Sequence, residues 1–357
     1  MMRLLATFVA LCVVSFGVAA PTITYPEVKP GYRLQFPHDE GSHPEFRTEW
    51  WYVTGWLKTT DQRELGFQIT FFRARPDNVA NDNPSSFAPK QILFAHVALS
   101  DPAEKKLMHA ERVARAGLGL AEAKTSLTHV WINDWSLQQN GNRYFASIAT
   151  PEFHFQFVFD ADQAPILNGD RGYSQKSPHP LAASYYYSIA QLKVSGTLTQ
   201  HGKPQVITGV AWLDHEWSSE YMDSHAAGWD WAGINFDDGG ALMAFRMRDK
   251  TGQPLWAGGT YRSADGTTRI LKPEQIKFTP MKQWRSPRSG AEYPIVMGLH
   301  ASDNDSLLAP LLDDQELSSA DAKRATYWEG AVNVLKDGKR IGRGYLELTG
   351  YAKAMKF

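Results

Sequence analysis

The sequence predicts an all-β protein made of two antiparallel barrels in tandem. Three observations carry that expectation: short segments in which apolar and polar residues alternate, no helical period sustained over three turns in the segments between 91 and 138, and two sequence patterns that each occur twice in the same order. Alternation with a period of two gives each strand one apolar face, and regularly spaced short strands of this kind close into sandwiches or barrels.

From the start of the chain, the first twenty residues read as an export signal: Arg3 supplies the charge, LLATFVALCVVSFGVAA is apolar, and Val18 to Ala20 are small enough for cleavage. The apolar run is too short and too early for a spanning helix of the mature protein. Cys12, the single cysteine, lies inside it, and Val9-Ala10-Leu11 before it make a poor lipoprotein site. Cys12 is therefore expected to leave with the signal. The mature protein, periplasmic or secreted, is then expected to have no disulfide, thiolate metal ligand or cysteine nucleophile.

A Pro-punctuated lead (Pro21, Pro26, Pro30) is followed by FPHDEGSHPEFRTEWWYVTGW, residues 36–56, which begins as loop and ends as strand. His38, Asp39, His43 and Glu49 are groups of catalytic type beside Trp50 and Trp51. They equally suit a loop that caps backbone groups at a barrel mouth. In GFQITFFR, Phe67, Ile69 and Phe71 alternate with Gln68, Thr70 and Phe72; in EFHFQFVFD, Phe153, Phe155, Phe157 and Phe159 alternate with His154, Gln156 and Val158. Between them QILFAHVALSD (91–101), KLMHAERVAR (106–115) and LTHVWINDWSLQ (127–138) are short and bounded by turns. His96 and His109 stand singly in such strands and read as structural groups. Residues 74–90, rich in Asn, Asp, Ser and Pro, read as a long surface loop of lid type. Only DDQELSSADAKRA (313–325) looks helical, with Ser318 or Ser319 as a cap.

The repeats set the domains. EWWYVTGWLKTTDQRELGFQITFFR (49–73) parallels GWDWAGINFDDGGALMAFRMR (228–248), and SGTLTQHGKPQVITGVAWLD (195–214) parallels EGAVNVLKDGKRIGRGYLELTGY (329–351). Two barrels, roughly 25–222 and 223–357, explain that order. A chain of 357 residues is also long for a single core. Composition agrees: 43% hydrophobic, 21% charged, with 12 Trp, 14 Tyr and 18 Phe, favours an aromatic-lined interior. With 37 basic and 38 acidic residues spread along the chain, no basic footprint for nucleic acid is present.

The densest chemistry lies at the seam, in GVAWLDHEWSSEYMDSHAAGWDWAGINF, residues 209–236. Asp214, His215 and Glu216 are consecutive between Trp212 and Trp217, and Asp230 sits between Trp229 and Trp231. Apolar walls raise carboxyl pKa values and a nearby imidazolium lowers them, so acids among indole rings are candidates for acid–base work. A hydrogen-bonded structural node between two sheets is the competing reading. Seams between domains are favoured places for ligands.

EWWYVTGW, FQITFFR, QILFAH, SYYYS, AWLDHEW, GWDW, YWEGAV and GYLELTGY together resemble the AttH/CrtC-like family of exported bacterial proteins, some labelled secreted hydrolases. The likeness runs from about residue 25 to the C-terminus. It implies two tandem lipocalin-like barrels. The family's CrtC branch contains carotenoid 1,2-hydratases, lyases that add water to a C=C bond of an acyclic isoprenoid; the AttH branch, which this sequence resembles more, is often encoded near transporter components.

A hydratase needs a carboxylic acid that stays protonated near neutral pH, electron-rich rings for the carbocation, and a base for the attacking water. Asp214 or Asp230 suits the acid and His215 or Glu216 the base. Trp217, Trp229, Trp231, Tyr185, Tyr186 and Tyr187 suit the wall, with Trp50, Trp51, His38, His43 and Glu49 of the 36–56 stretch completing a ligand site. That chemistry calls for no cofactor, and the sequence has no Gly-rich nucleotide loop, G-x-S-x-G elbow or H-E-x-x-H. His215 and Glu216 with His38 or His43 lack a diagnostic metal spacing, so no metal is expected. Two functions from different classes stay open: a hydratase-type lyase, and a non-catalytic periplasmic carrier that delivers a lipid-like ligand to a membrane transporter. Each requires a hydrophobic small molecule as partner.

Overall fold

The computed structural model describes residues 23–77, 85, 87–318 and 326–355. The expected export signal with Cys12 lies outside the described residues, as do positions 78–84 and 86 of the 74–90 loop. The protein is all-β, 61% strand and 2% helical. Its two antiparallel sheets each curl into a nearly closed, lipocalin-like barrel.

The first sheet runs, in hydrogen-bonded order, through Leu107–Arg115, Ile92–Ser100, Glu64–Ala74, Thr48–Thr59, Lys203–Glu220, Ala183–Gln200, Phe153–Asp160, Arg143–Ala149, Trp135–Asn140, His129–Ile132 and Ala121–Ala123. The second runs through Thr268–Leu271, Pro254–Arg262, Ala241–Asp249, Ala226–Phe236, Lys339–Leu348, Tyr327–Lys336, Asn304–Pro310, Glu292–Ala301 and Ile276–Arg285. Alternation fills each interior: Phe155, Phe157 and Phe159 pack around Phe67 in the first, and Ala232, Ile234, Met297 and Leu346 are buried in the second. A third apolar cluster, with Tyr52, Trp56, Tyr186, Trp212, Trp229 and Trp231, lies between the barrels, where their outer faces meet.

The repeated patterns occupy matching places. The Glu64–Ala74, Thr48–Thr59, Lys203–Glu220 and Ala183–Gln200 strands are neighbours in that order, and so are Ala241–Asp249, Ala226–Phe236, Lys339–Leu348 and Tyr327–Lys336. Each Gly-Lys hairpin turns through two left-handed residues, His201-Gly202 and Asp337-Gly338, as a two-residue primed turn requires. The first hairpin has strands of 18 residues and the second of 10. Register then fixes correspondence: Tyr52 pairs with Asp214 as Trp231 pairs with Glu347, and Ser188 pairs with Asp214 as Glu329 pairs with Glu347.

The helix expected over 313–325 is not formed where the structure describes that segment. Glu316–Leu317 is instead a short strand on Tyr327–Lys336, because Glu316 is buried where Ser286, Ser289 and Tyr293 donate to its carboxylate. Residues 319–325 lie outside the described residues.

Candidate active site at the seam between the barrels

Alternation decides what each side chain of EWWYVTGW and AWLDHEW can reach. Trp51, Val53, Leu213, His215 and Trp217 face the first barrel's interior, whereas Tyr52, Trp56 and Trp212 face the second barrel, together with Asp214 and Glu216. The outer faces are tied together by hydrogen bonds. Tyr52 Oη donates to Glu329 Oε2 (2.7 Å), Trp231 Nε1 to Tyr186 Oη (3.1 Å) and Trp56 Nε1 to the Gly344 carbonyl (3.0 Å).

Between the faces lies a chamber of about 50 Å³. Three carboxyls line it, Asp214 and Glu216 from the first barrel and Glu347 from the second, among the rings of Trp50, Tyr52, Tyr186, Tyr221, Trp229 and Trp231. Asp214 Oδ1 accepts from Ser188 Oγ (2.5 Å) and Trp212 Nε1 (2.6 Å). Burial nevertheless dominates and pushes Asp214 up to about 7, against the hydrogen bonds that favour its charge. Glu347 Oε2 accepts from Trp229 Nε1 (2.9 Å); burial, helped by the charge of Glu216, lifts it to about 7 against that bond. Glu216 is raised by burial too, but Lys176 Nζ lies 2.8 Å from its Oε1 and Ser184 donates to the same oxygen. Three carboxyls thus face one ammonium. Buried like charges cannot all ionise together, so near neutral pH the chamber holds at least one carboxylic acid. Behind Tyr52, burial and the proximity of Glu347 keep Glu329 well above the carboxylate range.

The chamber shares Trp50, Phe72, Trp229, Tyr327 and Glu347 with a larger, mostly apolar cleft of about 490 Å³. The cleft has room for a small apolar molecule, and the chamber for little more than a water.

Two of the four residues expected to do acid–base work lie elsewhere. The sequence-based expectation grouped Asp214, His215, Glu216 and Asp230 around one cavity with the HDEGSH segment, but neighbouring strand residues point to opposite faces. His215 lies inside the first barrel, its Nε2 2.9 Å from Glu49 Oε1 and its ring stacked near Trp51. Burial holds its pKa below the usual value despite Glu49. Asp230 lies inside the second barrel, paired with Arg246 and Arg248 and accepting from Tyr351 Oη (2.9 Å). Trp217, Tyr185, Tyr187 and Trp51 also face inward, and His43 stacks on Trp217 at 3.7 Å. Of the remaining ligand-site candidates, Trp229, Trp231, Tyr186 and Trp50 line the chamber, Glu49 borders the cleft with its carboxylate turned into the first barrel, and His38 stays at the surface against Asp39.

Residues the sequence reading did not single out are Glu347, Lys176, Glu329 and Ser188. The repeat points to the strand that carries Glu347, and the strand register then leads from Asp214 to it.

The ligating atoms of His43, Glu49 and His215 lie within 4.8 Å of one another, a grouping that could hold a metal ion. The triad is also complete without one. Glu49 Oε1 receives both imidazoles (2.8 and 2.9 Å), while Oε2 receives Arg73 Nε (2.8 Å) and Ser42 Oγ (2.9 Å). Burial disfavours charge on His43, but Asp39 and Glu49 outweigh it and raise His43 to about 9.

The AttH-like family model matches residues 27–351. The crystal structure of an AttH protein from Nitrosomonas europaea is 48% identical and superposes with a TM-score of 0.86, covering 91% of this chain and 99% of that one. Kievitone hydratase from Nectria haematococca shares the fold at 17% identity and a TM-score of 0.68, over 93% of this chain and 97% of its own. The structure of CghA with Sch210972 follows at 12% identity and a TM-score of 0.50, over 85% and 89% of the two chains. No curated protein sequence matches. A family match from residue 27 to 351, over a chain whose two barrels meet in an acid-lined seam, makes this protein a member of the AttH-like family.

Proposed function

We propose that the protein is a hydratase-type lyase that takes a hydrophobic, isoprenoid- or lipid-like molecule into the cleft and adds water to a C=C bond at the mouth of the chamber. The observation that carries this reading is Asp214, a carboxyl lifted to about 7 among aromatic rings beside an apolar cleft. Protonated Asp214 transfers its proton to one alkene carbon, and the π electrons form the new C–H bond. The cation left on the other carbon lies against the faces of Trp50, Tyr52, Trp229 and Trp231, whose quadrupoles favour positive charge. Water adds its oxygen there and passes its surplus proton to ionised Glu347 on the facing barrel. Proton exchange between the two acids restores the starting state. The distant fold likeness to a hydratase agrees with this chemistry, and the Glu216 carboxyl, held 2.8 Å from Lys176 Nζ, adds to the upward pull on Asp214.

The apolar cleft alone also serves a carrier, and the apolar N-terminus supports export. In that alternative the protein hands an unaltered ligand to a membrane transporter. Asp214→Asn separates the two: it keeps the size and an oxygen that accepts from Ser188 and Trp212 but removes the proton donor. Mass spectrometry of the molecule that co-purifies from the periplasm reads the outcome. Gain of one water with wild type and none with a folded Asp214→Asn establishes the lyase. Unchanged ligand with both proteins leaves the carrier.

A further inference from the structure

The cleft is apolar along its length but not neutral at its outer end, and its charges do not balance there. Arg73 is paired with Glu49 (2.8 Å), and Arg47 with Asp77 (2.7 Å). Arg75, which lines the same cleft and is 7% exposed, has no carboxylate partner among the described residues. Its side chain donates one hydrogen bond, Nη1 to the Glu45 carbonyl (3.0 Å), its Nε is buried without an acceptor, and its plane lies 5.1 Å from the Tyr25 ring. A buried guanidinium with donors to spare is costly unless something supplies the missing anion.

Strand geometry gives the offset, along the strands, between this cation and Asp214. Asp214 pairs with Tyr52 and Tyr52 with Thr70, and Arg75, just past the end of the strand, follows Thr70 by five residues and lines the cleft. Five residues of strand span about 16 Å. Apolar walls of Phe72, Phe94 and Met355 line the cleft.

We propose that the molecule taken by this cleft is an amphiphile with an anionic head group, held by Arg75, and an apolar chain that runs inward to the chamber. The separation fits a chain of roughly a dozen carbons between the anion and the position facing Asp214. This rests on the reading of the cleft as the ligand's seat and adds its polarity and direction: head group outward at Arg75, reacting carbons inward. A planar guanidinium pairs in fork geometry with either a carboxylate or a phosphate, so the shared requirement is an anion on a long chain.

The test uses the mature chain and three probes of equal length, dodecanoate, dodecyl phosphate and 1-dodecanol, kept below their aggregation limits, with binding read from quenching of tryptophan fluorescence. Both anions are expected to bind about tenfold or more tightly than the alcohol, and the tighter of the two names the head group. Arg75→Met should abolish the preference while leaving dodecanol affinity unchanged, and Arg75→Lys should retain much of it. Added salt should weaken the anions alone. Equal binding of alcohol and anions, or equal weakening of all three by Arg75→Met, overturns the head-group assignment and leaves the apolar cleft standing. No binding of any probe by a folded wild-type chain overturns both.

Discussion

The two barrels carry the same strands at the same register, yet their inner and outer faces are built on different terms. Inside each, an arginine meets a buried acid. Arg73 lies across from Glu49 in the first barrel, and Arg248 occupies the matching position across from Gly228 in the second. A side chain cannot stand at Gly228, since its Cβ would come within 2.4 Å of the Thr349 carbonyl oxygen. The second barrel therefore draws its acid from two residues further on, Asp230, which binds Arg248 Nε and Arg246 Nε at 2.9 Å each. The partner changed place and the pairing survived. On the outer faces the reverse holds: matching positions bear acids on both barrels, Asp214 and Glu347, and the cation paired at the seam among the described residues, Lys176, goes to Glu216. Paired opposite charges recur inside as scaffold, whereas like charges are gathered at the seam, where they cost stability and supply chemistry.

The largest effects should come from unbalancing an inner node. Asp230→Asn leaves two buried guanidinium groups without their counter-ion, and the expected loss is about 3–5 kcal/mol in unfolding free energy. Urea titration reads it. A variant as stable as wild type would show that the inner node is not scaffold and would break the comparison at its stronger end.

Asp214→Asn should do the opposite, and its effect must depend on pH. The Asp214 carboxyl moves from an ordinary 3.8 to about 7 on folding. Below pH 4 it is protonated in folded and unfolded chains alike. Between pH 4 and 7 the folded chain retains a proton that the unfolded chain has released, so its contribution to stability falls as pH rises and is lost once the folded group ionises near 7. The amide has no such loss. The variant should therefore gain on wild type between pH 4 and 7 and hold a lead on the order of 4 kcal/mol above it. Denaturation at pH 4 and pH 8 measures the difference. A lead that does not grow with pH would mean that Asp214 is ionised and paired as the inner acids are.

The same contrast explains what could be read from the sequence. Barrels and their order follow from alternation and from repeated hairpins, which are local patterns, and Asp214 with Glu216 stood out because acids among tryptophans are costly. His215 stood out for the same reason and went inward, because two consecutive residues of a strand cannot face one chamber. Glu347, within the plain strand motif GYLELTGY, becomes chemical only because another barrel closes over it. Matching the Gly-Lys turns alone does not reveal it, since the first hairpin's longer strands set Asp214 and Glu347 at different distances from their turns. Lys176 follows a three-residue strand in a loop, and nothing nearby in sequence announces its partner 40 residues on.

The smallest effect sharpens the seam itself. At the position matching Glu329, the first barrel has Ser188, whose hydroxyl donates to Asp214 Oδ1 and in turn receives Asn168 Nδ2 at 2.7 Å. That bond favours the ionised carboxylate and so opposes the upward pull of burial. Ser188→Ala removes it with little change in volume. A lost hydrogen bond to a charged group is worth about 1 kcal/mol or somewhat more, so the apparent pKa of Asp214 should rise by roughly one unit. If Asp214 donates the proton, the alkaline limb of the pH–rate profile should move upward by that amount while overall stability changes little. An unmoved limb would assign the limb to Glu347, and the paired variant Glu347→Gln, which abolishes that limb only if Glu347 is its source, would identify which barrel supplies the acid.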